Sequence, residues 1–112
     1  GNIYISHRAI AAIAYQSTQE SYGVVGLAAK NLAEDLAQAI VKDPMLGIDV
    51  EYDGTLIEIN VYVIIEYGTR IKSVATSVSN NIRFKVEKAI GVPAEQIQVN
   101  VHVRGLRVSN PD

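Results

Sequence analysis

The chain has 112 residues, with 10 Lys and Arg against 12 Asp and Glu, and its net charge of -2 gives too weak a positive field to favour nucleic acid as a partner. It contains 0 Cys, which excludes thiolate catalysis, cysteine zinc sites and disulfides. The length predicts one domain over residues 1–112, and the apolar runs are a few residues long, far short of the roughly 20 needed for a membrane span.

The first predicted elements are a short strand and a helix. Isoleucines fall on one side of an extended segment over residues 2–5, with Tyr4 on the other side, which predicts a strand. Ser6 can accept a hydrogen bond from a free N–H group of a first helical turn, so we expect it to be an N-cap. The helix is expected to end near Gly23, because glycine readily adopts the left-handed C-cap conformation.

The next segment has two glycines around two valines. Residues 23–26 read Gly-Val-Val-Gly, a composition that favours a turn or a close backbone approach over a helix interior. A second amphipathic helix is predicted from the spacing of Leu32, Leu36, Ala39 and Ile40. That helix has to end before Pro44, because a proline ring disfavours helical geometry at the preceding residue.

Two antiparallel strands are predicted next. Within residues 47–53, Ile48, Val50 and Tyr52 alternate with Asp49, Glu51 and Asp53, and Asp53-Gly54 is a signal for a two-residue hairpin turn. The return strand, residues 57–66, places its odd-numbered aliphatic residues on one face and mostly polar residues on the other. Gly68 is expected to end it.

A long helix and a final strand complete the prediction. Aliphatic residues recur at helical spacing over residues 71–90, and valines alternate with polar residues over 97–104. The order is strand, helix, helix, strand, strand, helix, strand, and each strand is apolar on one side only. This pattern predicts an α+β two-layer sandwich, in which helices pack on one face of a mixed β-sheet and the other face stays open.

The sequence offers little for catalysis or metal binding. His7 and His102 are the 2 histidines of the chain, and we expect neither to activate a nucleophile. Asp49, Glu51 and Asp53 share a strand face and could hold a cation, although acidic residues also protect a strand edge from pairing. We therefore expect no enzymatic activity, with a small-molecule or cation-binding regulatory domain as the alternative function.

A single-stranded RNA-binding module is a further alternative. Tyr4, Tyr62 and His102 are predicted on the open face beside Arg104, and such side chains can stack unpaired bases. Glu58 flanks the same face, and no stripe of Lys and Arg accompanies it. Nucleic acid is therefore not the partner that we expect.

Several short segments occur in a familiar order. They are an opening Gly-x-Ile-x-Ile-Ser, the Gly-Val-Val-Gly of 23–26, Glu66-Tyr67-Gly68, a helix with Ile71, Val74, Val78 and Val86, and the Val-Asn-Val-His-Val-Arg-Gly-Leu of 99–106. In this order the chain resembles, over residues 1–108, the alkaline shock protein family of Gram-positive bacteria, also called the Gls general-stress family. His7-Arg8 departs from the acidic residue that is common after the opening serine.

The resemblance implies a cytoplasmic protein with no catalytic activity and no cofactor. It also implies a role in cell-envelope and alkaline-stress homeostasis, sometimes at the inner face of the membrane through an integral-membrane partner. Together with the half-open sheet, it leads us to expect a scaffold that binds a protein partner and forms homo-oligomers.

Two surfaces are candidates for that role. The first is an interaction face on the open side of the sheet, where aromatic and aliphatic side chains among polar groups resemble the composition of interfaces. Its residues are Tyr62, Ile64, Asn100, His102 and Arg104. In the alternative interpretation, the chain's own loops or termini cover Tyr62 and Ile64. The second surface is a structural turn with Gly23, Gly26 and Gly68, which backbone geometry alone could also require.

Overall fold

The computed structural model describes residues 6–31 and 39–108. Its elements in chain order are α1 (His7–Gln19), β1 (Val24–Ala28), β2 (Ile40–Val41), α2 (Pro44–Gly47), β3 (Ile48–Tyr52), β4 (Ile57–Glu66), α3 (Ile71–Ile90), a 3-10 turn (Ala94–Gln96) and β5 (Ile97–Arg107). The predicted strand over 2–5, with Tyr4, and residues 32–38 of the predicted second helix lie outside the described residues.

Strand β4 is the centre of a mixed sheet. Along one edge it pairs in parallel with β5, from Ile57 opposite Ile97 to Glu66 opposite Arg107. Its other edge is shared, because β3 pairs antiparallel with the first half of β4 and β1 with the second half. Strand β2 extends the sheet beyond β1. The long return strand predicted from alternation is therefore the element that joins all the others.

The core lies between the sheet and helices α1 and α3. The odd-numbered residues of β4 are fully buried against one stripe of each helix, and their burial confirms the predicted face and the α+β two-layer class. The helical part of this core consists of Ile10, Ala11, Ala14, Val74, Val78, Ile82 and Val86. The two helices also contact each other, where Asn81 Nδ2 donates to Ser21 Oγ at 2.9 Å.

The ends of the first helix follow from local hydrogen bonding. Ser6 Oγ accepts from the backbone N–H of Ala9 at 3.2 Å, which confirms Ser6 as the N-cap. The helix ends at Gln19, and Gly23 follows in the left-handed region with φ 85°. A Cβ at Gly23 would lie 2.6 Å from Val74 Cγ2, so the chain can pass this close to α3 only with glycine at this position.

Two predictions between residues 23 and 41 are wrong. The predicted turn that includes Gly26 is strand β1, because its β-branched valines fill the part of the β4 edge that β3 leaves free. Ile40, predicted in a helix, is in strand β2 and pairs with Ala28. A Cβ at Gly26 would lie 2.8 Å from Ile40 Cγ2. Gly26 thus serves close packing between these strands rather than a turn.

The connection between β3 and β4 is longer than predicted. Tyr52 pairs with Ile57, which leaves a four-residue loop instead of a two-residue turn. Asp53 Oδ1 accepts from the backbone N–H groups of Thr55 at 2.9 Å and Leu56 at 2.7 Å. The aspartate therefore organises the loop from its first position. Within the residues that the structure describes, no helix combines the length and apolarity that a bilayer crossing requires.

Candidate functional site

The parallel pairing of β4 and β5 brings two rows of polar side chains together on the outer face, the side of the sheet away from α1 and α3. Side chains that face each other across neighbouring strands can contact directly. Opposite pairs on this face are Glu58 with Gln98, Asn60 with Asn100, and Tyr62 with His102. Four of the five residues predicted for the interaction face, Tyr62, Asn100, His102 and Arg104, lie together here.

An aromatic stack stands at the centre of the outer face. The rings of Tyr62 and His102 are 4.5 Å apart between centroids, at an interplanar angle of 16°. Arg104 Cζ lies 4.7 Å from the centroid of the Tyr62 ring, a position for cation–π attraction. Each of these contacts stabilises by about 0.5–1 kcal/mol at a partly exposed site. The three planar groups are therefore ordered before any partner arrives.

Amide groups continue this order along the strands. Asn60 Oδ1 accepts from Asn100 Nδ2 at 3.2 Å and lies 2.9 Å from His102 Nε2. Because an amide oxygen accepts only, the His102 tautomer with its proton on Nε2 is the one that can donate to Asn60. Asn100 Nδ2 also donates to Glu58 Oε2 at 3.3 Å. Asn60 and Asn100 thus connect His102 to Glu58 across the two strands.

A β-bulge turns Arg104 toward this cluster. Val63 pairs with Val103 but Ile64 pairs with Gly105, so Arg104 has no opposite residue on β4. Such an extra residue bends a strand and redirects its side chain. Arg104 Nε is buried and has no hydrogen-bond partner among the described residues. The guanidinium itself lies against the face of the Tyr62 ring.

Ile64 does not belong to this exposed surface, contrary to the prediction. Its side chain is 1% exposed, and its neighbours in register are Gly26 and Gly105. Ile40 packs directly over Gly26, and the unpredicted strands β1 and β2 reach this end of the sheet. The interpretation of an open face therefore applies to Tyr62, which is half-buried. The interpretation of a face covered by the chain itself applies to Ile64.

Gly23 and Gly68 come together at the other candidate surface. Both have positive φ angles, 85° and 95°, and each lies in a turn, after α1 and after β4. A groove of about 310 Å³ lies beside them, lined in part by Tyr22, Arg70 and Val74. Tyr22 is 79% exposed there. Of the three predicted turn glycines, these two are in turns and Gly26 is not.

The predicted acidic residues Asp49, Glu51 and Asp53 differ in their surroundings. Asp49 Oδ1 lies 3.9 Å from Lys30 Nζ, and Asp53 accepts loop N–H groups instead. Hydrogen bonds from Leu56 and Thr55 lower the pKa of Asp53 below its ordinary value of 3.8. Over residues 6–31 and 39–108, no group of three or more His, Cys, Asp or Glu side chains could hold a metal ion.

The sequence placed Glu58 beside this face, but it did not predict the hydrogen bonds that Glu58, Asn60 and Gln98 make there. Their even numbering places them on the correct side of the strands, but the interstrand register decides which of them meet. A parallel pair joined through α3 has no tight turn to fix its register. The matching run of even-numbered polar residues on both strands was the available signal.

Comparisons with known proteins agree with the resemblance found in the sequence. A family model described as the alkaline shock protein 23 family, with a cell envelope-related function, matches residues 1–108. YloU of Bacillus subtilis strain 168 is 37% identical over 113 residues, covering 99% of this chain and 92% of YloU. Spy1614 of Streptococcus pyogenes serotype M6 is 30% identical over 110 residues, covering 96% and 89%. Both relatives are described as uncharacterized proteins.

Solved structures with a similar fold include two variants of the MamM CTD. One matches with a TM-score of 0.52 and covers 89% of this chain and 98% of that chain. The other matches with a TM-score of 0.50 and covers 87% and 94%. Both are 12% identical to this chain, so the likeness concerns the fold alone.

Proposed function

Because the chain belongs to the alkaline shock protein 23 family, whose function is cell envelope-related, we propose that it is a non-enzymatic scaffold that binds a protein partner through its outer face. The observation that carries this proposal is the stack of Arg104, Tyr62 and His102. Tyrosine and arginine are the residues most often responsible for binding energy at protein interfaces. Here they are already ordered, which reduces the entropy lost on binding.

The surroundings of the stack suit a protein ligand. Glu58, Asn60 and Asn100 present carboxylate and amide groups beside it, as in the polar rim of an interface. Arg104 supplies a positive charge and Glu58 a negative charge within a single face. The backbone and the polar and charged side chains of a peptide can form hydrogen bonds and ion pairs with such a surface.

The absence of catalysis is part of the proposal. A catalytic histidine activates a nucleophile that lies within hydrogen-bond reach of its ring. Among the described residues, the contacts given for the His102 ring are with Asn60 Oδ1 at 2.9 Å and with the ring of Tyr62, and neither partner is a serine, threonine or cysteine. This supports a role for His102 in ordering the surface.

The RNA-binding alternative is less well supported by this geometry. A base would need a free aromatic face to stack on. The Tyr62 ring already contacts His102 and Arg104, so a base would first have to displace one of them. The cation-binding alternative is likewise less well supported, because over the described residues the acidic side chains do not form a group of three or more that could hold a metal ion.

The cellular setting that we propose is the inner face of the envelope. There the cytoplasmic protein would self-associate and would be held by a membrane-anchored partner. The test is photocrosslinking in living cells with identification of the attached protein, comparing the natural chain with Tyr62→Ala and Arg104→Ala. We expect a specific membrane-anchored protein to be captured by the natural chain and to be lost in both variants.

Tyr22→Ala is the matched control, because it removes another exposed tyrosine that lies outside the outer face. It should retain the captured protein. Equal capture by Tyr62→Ala and by the natural chain would contradict the proposed face. Thermal melting of each variant verifies that the fold is unchanged.

A further inference from the structure

We infer that the free edge of β5 pairs antiparallel with β5 of a second copy, so that two sheets join into one. Within the described residues, β4 is the strand that pairs with β5, and it occupies only one edge. In the part of the chain that the structure describes, no strand pairs with the other edge of residues 97–103, so the N–H and C=O groups on that edge are available. Such an edge is a template for pairing with another chain.

The sequence of β5 lacks the usual protection against edge pairing. Residues 97–103 read Ile-Gln-Val-Asn-Val-His-Val, without Lys, Asp, Glu, Pro or Gly. Natural edge strands are commonly blocked by such residues or by a bulge. The bulge at Arg104 comes only after these seven residues. By contrast β3, on the opposite side of β4, carries Asp49 and Glu51.

The helix-side surface next to this edge is incompletely covered. Val99 is buried, but Val101 and Val103 are only half-buried although they pack on the core. A groove of about 370 Å³ runs between β5 and α3, lined by Ala75, Thr76 and Ser79 on the helix. Valines of an added strand would enter this groove and complete the burial.

Residues 97–103, the part of β5 before the bulge, determine the register that we propose. Its midpoint is Asn100, and a two-fold axis there places Val99 opposite Val101 and Gln98 opposite His102 of the second copy. All seven residues are then paired, and no like charges are opposed. A two-fold axis perpendicular to the sheet also keeps α3 of each copy on the same side. The outer faces merge, and the two Tyr62 stacks share one surface.

This inference deepens the self-association in the proposed function and rests on it. Its register can be tested by disulfide formation, because the natural chain has 0 Cys and each introduced thiol is unique. Opposite residues of an antiparallel pair have Cα atoms about 4.5–5.5 Å apart, within the range that a disulfide spans. We expect Asn100→Cys to form a covalent dimer under mild oxidation.

Two further variants define the register. Gln98→Cys alone should not crosslink, since its two copies would be about 13 Å apart along the strands. The same holds for His102→Cys alone, whereas a mixture of the two should crosslink. Failure of Asn100→Cys to crosslink, or crosslinking of Gln98→Cys with itself, overturns the proposal. So does an intramolecular disulfide in the double variant Tyr4→Cys, Asn100→Cys, because the chain itself would then occupy the edge.

Charge reversal provides a test without covalent trapping. Asn100→Lys should weaken the dimer about tenfold or more in sedimentation experiments, because two like charges meet at the axis. An equimolar mixture of Asn100→Lys and Asn100→Asp should restore mixed dimers. Glu51→Lys, on the far strand, is the control and should leave the dimer intact.

The outcomes separate this inference from the proposed function. A natural chain that is monomeric at high micromolar concentration refutes self-association and the edge pairing together. A dimer that survives Asn100→Lys refutes the edge pairing alone. Capture of the membrane partner through Tyr62 is measured independently and is unaffected by either result.

Discussion

Tyr62 of β4 and His102 of β5 lie opposite each other, and their rings stack with centroids 4.5 Å apart. They are separated in sequence by the whole of α3, and the parallel register brings them together. Because a ring on an exposed strand is usually mobile, this contact explains how a small sheet presents an ordered aromatic surface.

The stack should be measurable as a coupling energy. In a double-mutant cycle with Tyr62→Leu and His102→Leu, we expect a coupling of about 0.5–1.5 kcal/mol in the free energy of unfolding. Urea denaturation provides the measurement. Tyr62→Phe should keep most of the coupling, because the ring and not the hydroxyl makes the contact. Strict additivity of the two leucine variants would show that the rings do not interact.

The buried face of β4 should tolerate no charge. Ile59 is 0% exposed, so Ile59→Asp buries an unpaired carboxylate at a cost of several kcal/mol, against a total stability of roughly 5–15 kcal/mol. We expect the variant to be largely unfolded by circular dichroism. Val101→Asp should cost less, since Val101 is only half-buried. Thr55→Asp in the exposed loop is the control, and near-natural melting of Ile59→Asp would contradict the core.

Gly23 should be the glycine most sensitive to substitution after α1. Gly23→Ala combines a positive φ with a Cβ placed 2.6 Å from Val74 Cγ2, and we expect a loss of about 2–4 kcal/mol in unfolding free energy. Gly68→Ala has the same backbone cost, but no atom lies within 4 Å of its Cβ, so it should lose only about 1–2 kcal/mol. Because Val74→Ala removes the clashing Cγ2, the double variant Gly23→Ala, Val74→Ala should lose less stability than the sum of the two separate losses. Equal losses at both glycines would argue against the close packing.

The loop between β3 and β4 should weaken in acid. Hydrogen bonds from Leu56 and Thr55 lower the pKa of Asp53 below 3.8, so its contribution to stability is complete above that value and is lost as pH falls through the folded-state pKa. We expect the difference in Tm between the natural chain and Asp53→Ala to be constant near neutral pH and to shrink below pH 3.8. Carbon NMR of the Asp53 carboxyl gives the midpoint directly. A midpoint at or above 3.8 would contradict the capping role.

The fold was predictable where apolar residues recur along the sequence with the period of a strand or a helix. The alternation of β4 and the helical stripe of α3 gave their bounds and their buried faces. Ser6 as a cap needed only its own side chain. The segments that failed, Gly26 and Ile40, are ones whose structure depends on a distant partner strand. Their valines and isoleucine fit either conformation until the free edge of β4 selects the strand.

The outer face was predictable in part for the same reason. Side-chain direction along a single strand identified Tyr62, His102 and Arg104. The link to Asn60 and the bulge that turns Arg104 required the register between strands, which no local signal encodes. Ile64 has the same parity as Tyr62, and only the packing around Gly26 removes it from the surface.

The edge of β4 that is shared by β3 and β1 also determines how the molecule unfolds. Strand β4 pairs with β5 along one side and with β3 and then β1 along the other, so no part of it can be released by detaching a single neighbour. Its amides should therefore be among the last to undergo hydrogen exchange, through global unfolding. Amides at the outer edge of β5 should exchange orders of magnitude faster in a single copy, and they should slow when two copies associate.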